Sequence, residues 1–416
     1  GSTGDGGDTV EAPEDATTVE REGDKAVTKV DGEKIADFVQ ANPEADRLNF
    51  TLEREAGEVA ELRLPKQAID ALSSANNKNL VVDVVSEDGS ISIPVSELSN
   101  EKIRAALGLT ASSTDDFEVS ITIAVVSGSQ ATSIKNSLES RVSGASVKSD
   151  VVDFTMSVRS GEREAKLTRF DSYIFRSIPV AGVTNPQFAI AYNVDATPVI
   201  VPTQGGTESV RFASRMLSKY VVAERTPLPF TDLRADFWAK PEIDRLSVRN
   251  VFQGRSDGRV APGESVTRVQ LSVLLSRSLA MISDSEYKKQ FSDVTGDEWF
   301  MDEFLPIVET GIVQGRRDGS FAPNAPVTRQ QAAAMISRAM DQIGFDDSKL
   351  GTANAENTYS DFDRIDDYAK EDVERLLQAG IMEGRNDGTF GPKEPMTRAQ
   401  MARVIDSLLK FQGFMN

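Results

Sequence analysis

A chain of 416 residues exceeds what one ordinary hydrophobic core encloses and implies roughly two to four domains. Its 65 acidic against 46 basic side chains leave a net charge of -19, which argues against a general nucleic-acid binder, because a phosphate backbone is met by a basic face. Cysteine and histidine are both absent, which excludes a Ser-His or Cys-His nucleophilic centre, a zinc site of the usual kind and any disulfide framework, so that only carboxylate, lysine or tyrosine chemistry remains for an enzyme.

The opening "GSTGDGGDTVEAPEDATT" is rich in Gly, Asp and Thr and poor in apolar residues, too polar to bury a core of its own, and residues 1–27 read as a flexible acidic linker. With no signal peptide or transmembrane run in view, the sequence reads as a C-terminal piece of a longer exported protein. Residues 28–109 alternate strands ("RLNFTLE", "AELRLP"), a helix ("KQAIDALSSAN") and a hairpin turning at Asp88-Gly89, which predicts a small α+β module. Residues 110–225 hold "FEVSITIAVV", "VVDFTMSV", "AKLTRF", "FAIAYNV" and "TPVIVP"; their alternation predicts a β-rich module with a half-buried antiparallel sheet.

From residue 226 onward the character changes to helices separated by Gly/Pro turns, and internal repetition decides the reading. The loops "GRSDGRVAPGESVTRVQ" from Gly254, "GRRDGSFAPNAPVTRQQ" from Gly315 and "GRNDGTFGPKEPMTRAQ" from Gly384 align without a gap. An aromatic stands at the same distance before each glycine, Trp238, Trp299 and Tyr368, and earlier still an aromatic-x-Asp ends in Asp232, Asp293 and Asp361. After each loop the apolar set Leu271, Leu274, Leu275 and Leu279 recurs as Ala332, Met335, Ile336 and Met340, then as Met401, Val404, Ile405 and Leu409. One such stripe cannot be buried by its own helix pair, so the three repeats are expected to pack on one another.

The helix-opening "TRVQ", "TRQQ" and "TRAQ" fit a capping box, with Thr267, Thr328 and Thr397 at the cap and Gln270, Gln331 and Gln400 reaching back. The box leaves Arg268, Arg329 and Arg398 unexplained, because a cation in the first turn opposes the helix dipole at a cost of roughly 0.3–1 kcal/mol when exposed. Two readings stand side by side. Either the guanidinium and the helix amides form an anion site, or each arginine salt-bridges an acid of a neighbouring repeat, Asp232, Asp293 or Asp361. The Asp-Gly loops are ordinary turn chemistry and lack the acidic count of a calcium loop. Gly254, Gly315 and Gly384 read as helix C-caps or as points of close ligand approach; Trp238, Trp299 and Tyr368 read as core or as a sugar-stacking platform.

These residues together resemble the S-layer homology domain, marked by an opening Phe-x-Asp, a helix with an aromatic, a G-x-x-D-G-x-F-x-P loop and a terminal T-R-A-E. The resemblance covers Phe230 to Phe411, with repeats at about 230–281, 291–340 and 359–410. It implies an all-α pseudo-threefold bundle of three helix-loop-helix repeats, making the whole chain multidomain: α+β and β-rich modules, then the bundle over residues 226–416. It further implies a non-enzymatic anchor, extracellular at the wall or S-layer of a Gram-positive bacterium. Its partner would be a secondary cell-wall polysaccharide carrying an acidic pyruvate ketal, bound in grooves between repeats without cofactor, metal, nucleic acid or membrane insertion.

Carried over by position, Arg268, Arg329 and Arg398 would hold the ketal carboxylate, Asp232, Asp293 and Asp361 would shape the groove, Gly254, Gly315 and Gly384 would let sugar near the backbone, and Trp238, Trp299 and Tyr368 would line it. The chain departs from the family in having Gln for the usual Glu of the terminal motif, Arg255, Arg316 and Arg385 where tyrosine is common, and Val260 for the first loop phenylalanine. The arginines raise the local positive potential and favour an anionic polymer. The competing readings are a cell-wall glycan hydrolase, or a lattice-forming S-layer protein with other S-layer subunits as partners, its main activity lying in residues 28–225 or upstream.

Overall fold

The computed structural model describes residues 8–110, 113 and 115–416. Residues 1–7 of the segment read as a linker lie outside the described residues. The chain divides into two units, one made of residues up to Val199 together with Gly205–Glu224, the other of Ile200–Gln204 and Arg225–Asn416.

In the N-terminal unit the alternation read from the sequence is expressed as strands. "FEVSITIAVV" becomes Glu118–Val125, with Val119, Ile121 and Ile123 buried and Ser120 and Thr122 between them partly exposed. This strand pairs antiparallel with both Val59–Pro65 and Val152–Ser160. It lies inside a ten-stranded sheet whose path continues through Lys25–Val30 to Thr17–Glu22 on one side and through Lys219–Arg225 to Ala189–Asn193 on the other. The hairpin at Asp88-Gly89 pairs Val81–Ser86 with Gly89–Pro94 and belongs to a seven-stranded sheet. Along its strands in this unit the order is Thr9–Glu11, Arg47–Thr51, Val81–Ser86, Gly89–Pro94, Arg169–Pro179 and Ser209–Met216. The core lies between the sheets, where Phe154 of the first meets Phe212 of the second at 6.4 Å between ring centres, and Tyr220 packs on both.

Both sheets run through the two modules that the sequence reading separated, because Val59–Pro65 pairs with Glu118–Val125 and Gly89–Pro94 with Arg169–Pro179. The segment read as a linker enters both sheets as well: Thr9–Glu11 pairs parallel with Arg47–Thr51, and Thr17–Glu22 pairs antiparallel with Lys25–Val30. Thr17–Glu22 is a polar edge strand ordered by backbone hydrogen bonds rather than by burial, so its composition resembles that of a linker.

In the C-terminal unit each repeat carries a scaffold helix (Lys240–Val248, Met301–Glu309, Lys370–Gln378) and a motif helix (Arg268–Ser278, Arg329–Gln342, Arg398–Phe411). The apolar stripe of every motif helix is buried, from Leu271, Leu275 and Leu279 through Ile336 and Met340 to Ile405 and Leu409. Before each motif helix an extended residue joins a closed triangle of backbone hydrogen bonds. Val266 N donates to Met396 O at 2.8 Å, Met396 N to Val327 O at 3.1 Å and Val327 N to Val266 O at 2.9 Å. Antiparallel bridges flank it, Ser265 with Thr397, Thr267 with Pro326 and Thr328 with Pro395. Ion pairs also join the helices: Arg245 to Asp406 at 2.7 Å, Arg277 to Glu303 at 2.7 Å and Arg375 to Asp341 at 2.7 Å.

The expected fold class is corrected by these observations. The chain is mixed α/β, with sheets of ten and seven strands, and its C-terminal region is not an all-α bundle. The apolar stripes predict the helices, but the repeats are stitched together by extended segments whose partners lie in other repeats.

Candidate functional site

The three arginines sit where the repeats meet. Thr267, Thr328 and Thr397 close complete capping boxes with Gln270, Gln331 and Gln400, which fixes the first turn of each motif helix and aims the following arginine at the next repeat. Arg268 donates from Nε to Phe321 O at 2.8 Å and from Nη2 to Gln314 O at 3.1 Å. Arg329 does the same to Phe390 O and Glu383 O, both at 2.6 Å. Arg398 closes the cycle onto the first repeat, at Val260 O (2.6 Å) and Gln253 O (3.4 Å).

Each guanidinium also lies over an aromatic ring: Phe321 at 4.9 Å, Phe390 at 4.9 Å and Phe252 at 5.2 Å. Phe252 supplies the ring in the seam where Val260 replaces the loop phenylalanine. Burial, the dominant influence, pushes all three guanidinium groups below their ordinary pKa. Charge-assisted bonds to carbonyls, about 1.5–3 kcal/mol each, offset the unfavourable dipole.

Neither reading of the arginines from the sequence describes these contacts. Their partners are backbone carbonyls rather than acids. The helix amides are engaged too: Arg268 N donates to Ala325 O at 2.9 Å and Val269 N to Pro323 O at 3.1 Å, with matching bonds in the other two seams. Asp232, Asp293 and Asp361 each clasp the loop of their own repeat instead. Asp232 accepts from Val260 N and Ala261 N at 2.8 Å each, Asp293 from Phe321 N and Ala322 N at 2.7 Å each, and Asp361 from Phe390 N at 2.7 Å and Gly391 N at 2.9 Å.

Gly254, Gly315 and Gly384 are not the helix C-caps. The left-handed residues that follow the scaffold helices are Asn250, Gly311 and Gly380. A Cβ on Gly254 or Gly315 would come within 2.8 Å of the ring of Phe230 or Phe291, and one on Gly384 would strike Tyr359, so the opening aromatic occupies the space that glycine leaves. Of the second loop residues, Arg255 pairs with Glu264 and Arg385 with Glu394. Among the described residues Arg316 has no ion-pair partner, since Ala325 stands where the other repeats have glutamate.

Trp238, Trp299 and Tyr368 lie on the surface, 51%, 70% and 55% exposed, so they are not core. Residues from all three repeats meet at a cavity of ≈ 470 Å³ lined by Trp238, by Arg329 and by Gly380–Arg385, Asn386, Met396, Gln400, Arg403, Val404 and Ser407 of the third repeat. Arg329 offers five N–H donors, of which Nε and Nη2 bond the loop carbonyls, so the guanidinium both braces the seam and faces the cavity. Arg403 escaped the sequence reading because Val273 and Ala334 hold its place in the other repeats. Gln330 escaped it as well; it donates to Tyr368 Oη at 3.1 Å and to Asp366 at 2.6 Å, fixing the third aromatic against the second repeat.

Residues 229–271, 290–333 and 358–402 match the model of the S-layer homology domain. The chain carries three S-layer homology domains. It is similar to an endoglucanase of Bacillus sp. (strain KSM-635), 35% identical over 181 residues, which are 44% of this chain and 19% of that protein. It is also similar to an amylopullulanase of Thermoanaerobacterium thermosulfurigenes, 26% identical over 364 residues, 86% of this chain and 17% of that protein. A third relative is the S-layer protein sap of Bacillus anthracis, 26% identical over 200 residues, 48% of this chain and 23% of that protein. The chain thus spans only 17% to 23% of these relatives' own lengths.

The domains and the S-layer relatives place the protein at the cell surface, at the wall, with anchoring as the role of its repeats. Among the described residues no helix is long and apolar enough to cross a membrane. The expectation of a protein that is not an enzyme is overturned by its relatives, of which the endoglucanase and the amylopullulanase are named as enzymes.

Proposed function

We propose that the S-layer homology repeats anchor the protein non-covalently by gripping an acidic secondary cell-wall polysaccharide in the grooves between repeats, with a pyruvate ketal as the anionic group. The observation that supports this most is the cavity at Arg329, which gathers an exposed indole, a guanidinium and a glycine-bearing loop from three repeats. An exposed aromatic face suits the apolar face of a pyranose, and the guanidinium suits a carboxylate.

In this reading Trp238, Trp299 and Tyr368 stack on sugar. Arg268, Arg329 and Arg398 present their remaining N–H groups to the anion; Arg316 adds positive potential at the rim, where Arg255 and Arg385 are paired with Glu264 and Glu394. Asp232, Asp293 and Asp361 hold the loops in shape, and Gly254, Gly315 and Gly384 let the opening aromatic of each repeat pack against the loop. Several grooves on one polymer would add avidity. Calorimetric titration of the whole chain with purified cell-wall polysaccharide, before and after removal of its ketal, tests this. Ketal-dependent binding is expected, and absence of binding by the folded wild-type chain overturns the reading.

A second reading draws on the amylopullulanase match, which at 364 residues is longer than the C-terminal unit and extends into the N-terminal one. In that reading the N-terminal unit takes part in a glycan-degrading activity. Release of reducing ends from α-glucan or cell-wall glycan by the whole chain would support it; inert substrates would sink it.

A further inference from the structure

The three seams share a backbone plan but not a charge plan. In the seam of Arg398, Arg255 is paired with Glu264; Arg277, which holds in the first repeat the place that Arg338 holds in the second, is paired with Glu303 at 2.7 Å. In the seam of Arg329, Arg385 is paired with Glu394, and Ser407 stands where the other motif helices have arginine.

At the second-repeat loop that Arg268 grips, Arg316 lacks the glutamate that pairs with Arg255 and Arg385, and Arg338 lacks the kind of partner that Arg277 has. Arg268 donates to Gln314 O at 3.1 Å and Arg338 Nη1 to Ile312 O at 3.2 Å, two residues apart on one loop, and Arg316 follows on the same loop. Among the described residues neither Arg316 nor Arg338 has a carboxylate at ion-pair distance; Asp372 is the acid within electrostatic reach of Arg338, and it lies in a partly buried position. Position 325, glutamate in the other two repeats, is alanine. Tyr368 of the third repeat stands close enough to Arg268 for the two to influence each other electrostatically.

We propose that the groove at Arg268 is the high-charge subsite of the protein, that Arg316 is its specificity-determining residue, and that it selects the most strongly anionic unit of an acidic glycan. This rests on the glycan-binding reading above. The physical reason is local. An arginine tied to a neighbouring glutamate presents almost no net charge to a ligand, whereas Arg316 feels only the loop aspartate Asp318, which every repeat carries, and stands beside two further guanidinium groups. Ala325 acts as the switch, because its replacement by glutamate elsewhere supplies the neutralising partner.

The test uses the whole chain, with a pyruvyl-ketal methyl hexoside and the corresponding methyl hexoside phosphate as probes, titrated at low and high salt. Ala325→Glu installs the acid that the other repeats already accommodate, and Ala325→Gln is its uncharged control. Ala325→Glu and Arg316→Gln are each expected to weaken the tightest binding class by about three- to fivefold, the scale of an exposed charge contact, and to flatten its salt dependence. Ala325→Gln leaves both unchanged. Adding Ala325→Glu to Arg316→Gln produces no further loss, because both changes remove one interaction. The phosphate probe loses more than the ketal probe. Unchanged affinity in Arg316→Gln, or equal losses in Ala325→Gln and Ala325→Glu, overturns this inference while the anchoring reading stands. A wild-type chain that binds neither probe nor the polysaccharide overturns both.

Discussion

Arg176 in the N-terminal unit and Arg329 in the C-terminal unit solve the same problem with different outcomes. Arg176 is 1% exposed, donates to Ile174 O, Ser214 O and Met216 O at 2.8, 3.3 and 2.8 Å, and lies over the rings of Tyr220 and Phe154. Arg329 likewise bonds backbone carbonyls and covers a phenylalanine. Burial pushes both guanidinium groups down from their usual pKa. Arg176 is enclosed by protein on every side and serves as a strut between strands, whereas Arg329 keeps contact with a cavity. A buried arginine bound to carbonyls is therefore structural in both units, and an accessible edge is what adds a candidate for binding.

Arg176→Met removes hydrogen bonds to three backbone carbonyls, of which Met216 O keeps the Tyr220 hydroxyl as donor, and is expected to cost about 2–3 kcal/mol, visible as a lowered transition in a calorimetric scan of the whole chain. A wild-type transition would mean that Arg176 is no strut. Arg329→Ala is expected to cost about 2–3 kcal/mol in the C-terminal unit and to weaken glycan binding as well. Loss of binding with unchanged stability would show that its carbonyl bonds contribute nothing to the seam.

Gly384→Ala sharpens the contrast by overpacking. The new methyl meets the ring of Tyr359, and the expected loss is about 1–3 kcal/mol, measured by thermal unfolding. The smallest effect on stability belongs to Trp238→Ala, within about 0.5 kcal/mol because the indole is exposed. Titration with cell-wall polysaccharide should nonetheless show binding weaker by roughly three- to tenfold, the range of an aromatic contact. A destabilised Trp238→Ala chain with intact binding would return the indole to a structural role.

Repetition made the C-terminal unit legible. Thr267, Thr328 and Thr397 with their glutamines form the capping boxes that their spacing predicts, and three arginines in one position marked the seam before any contact was visible. Their partners were not legible, because Phe321 O, Phe390 O and Val260 O are backbone atoms, and a carbonyl has no signature in the residue type that carries it. Arg403 and Gln330 were missed for the opposite reason, since each occurs in a single repeat. In the N-terminal unit single strands such as Glu118–Val125 were readable from alternation, but the joining of two expected modules into common sheets was not. That joining depends on pairings distant in sequence, such as Leu62 with Ile121.

By itself the sequence determined the local chemistry of this protein: which segments alternate or turn as helices, where the caps fall, that three copies of one motif follow each other, and that no histidine or cysteine chemistry is open to it. Tertiary structure alone decided that Val266, Val327 and Met396 close a triangle of backbone bonds, that the arginines brace the seams, that the aromatics stand in solvent, and that among the described residues Arg316 forms no ion pair. The reason is physical. Propensity and periodicity act over a few neighbouring residues, whereas the partners of a buried guanidinium or an unpaired backbone amide are fixed only when distant segments meet.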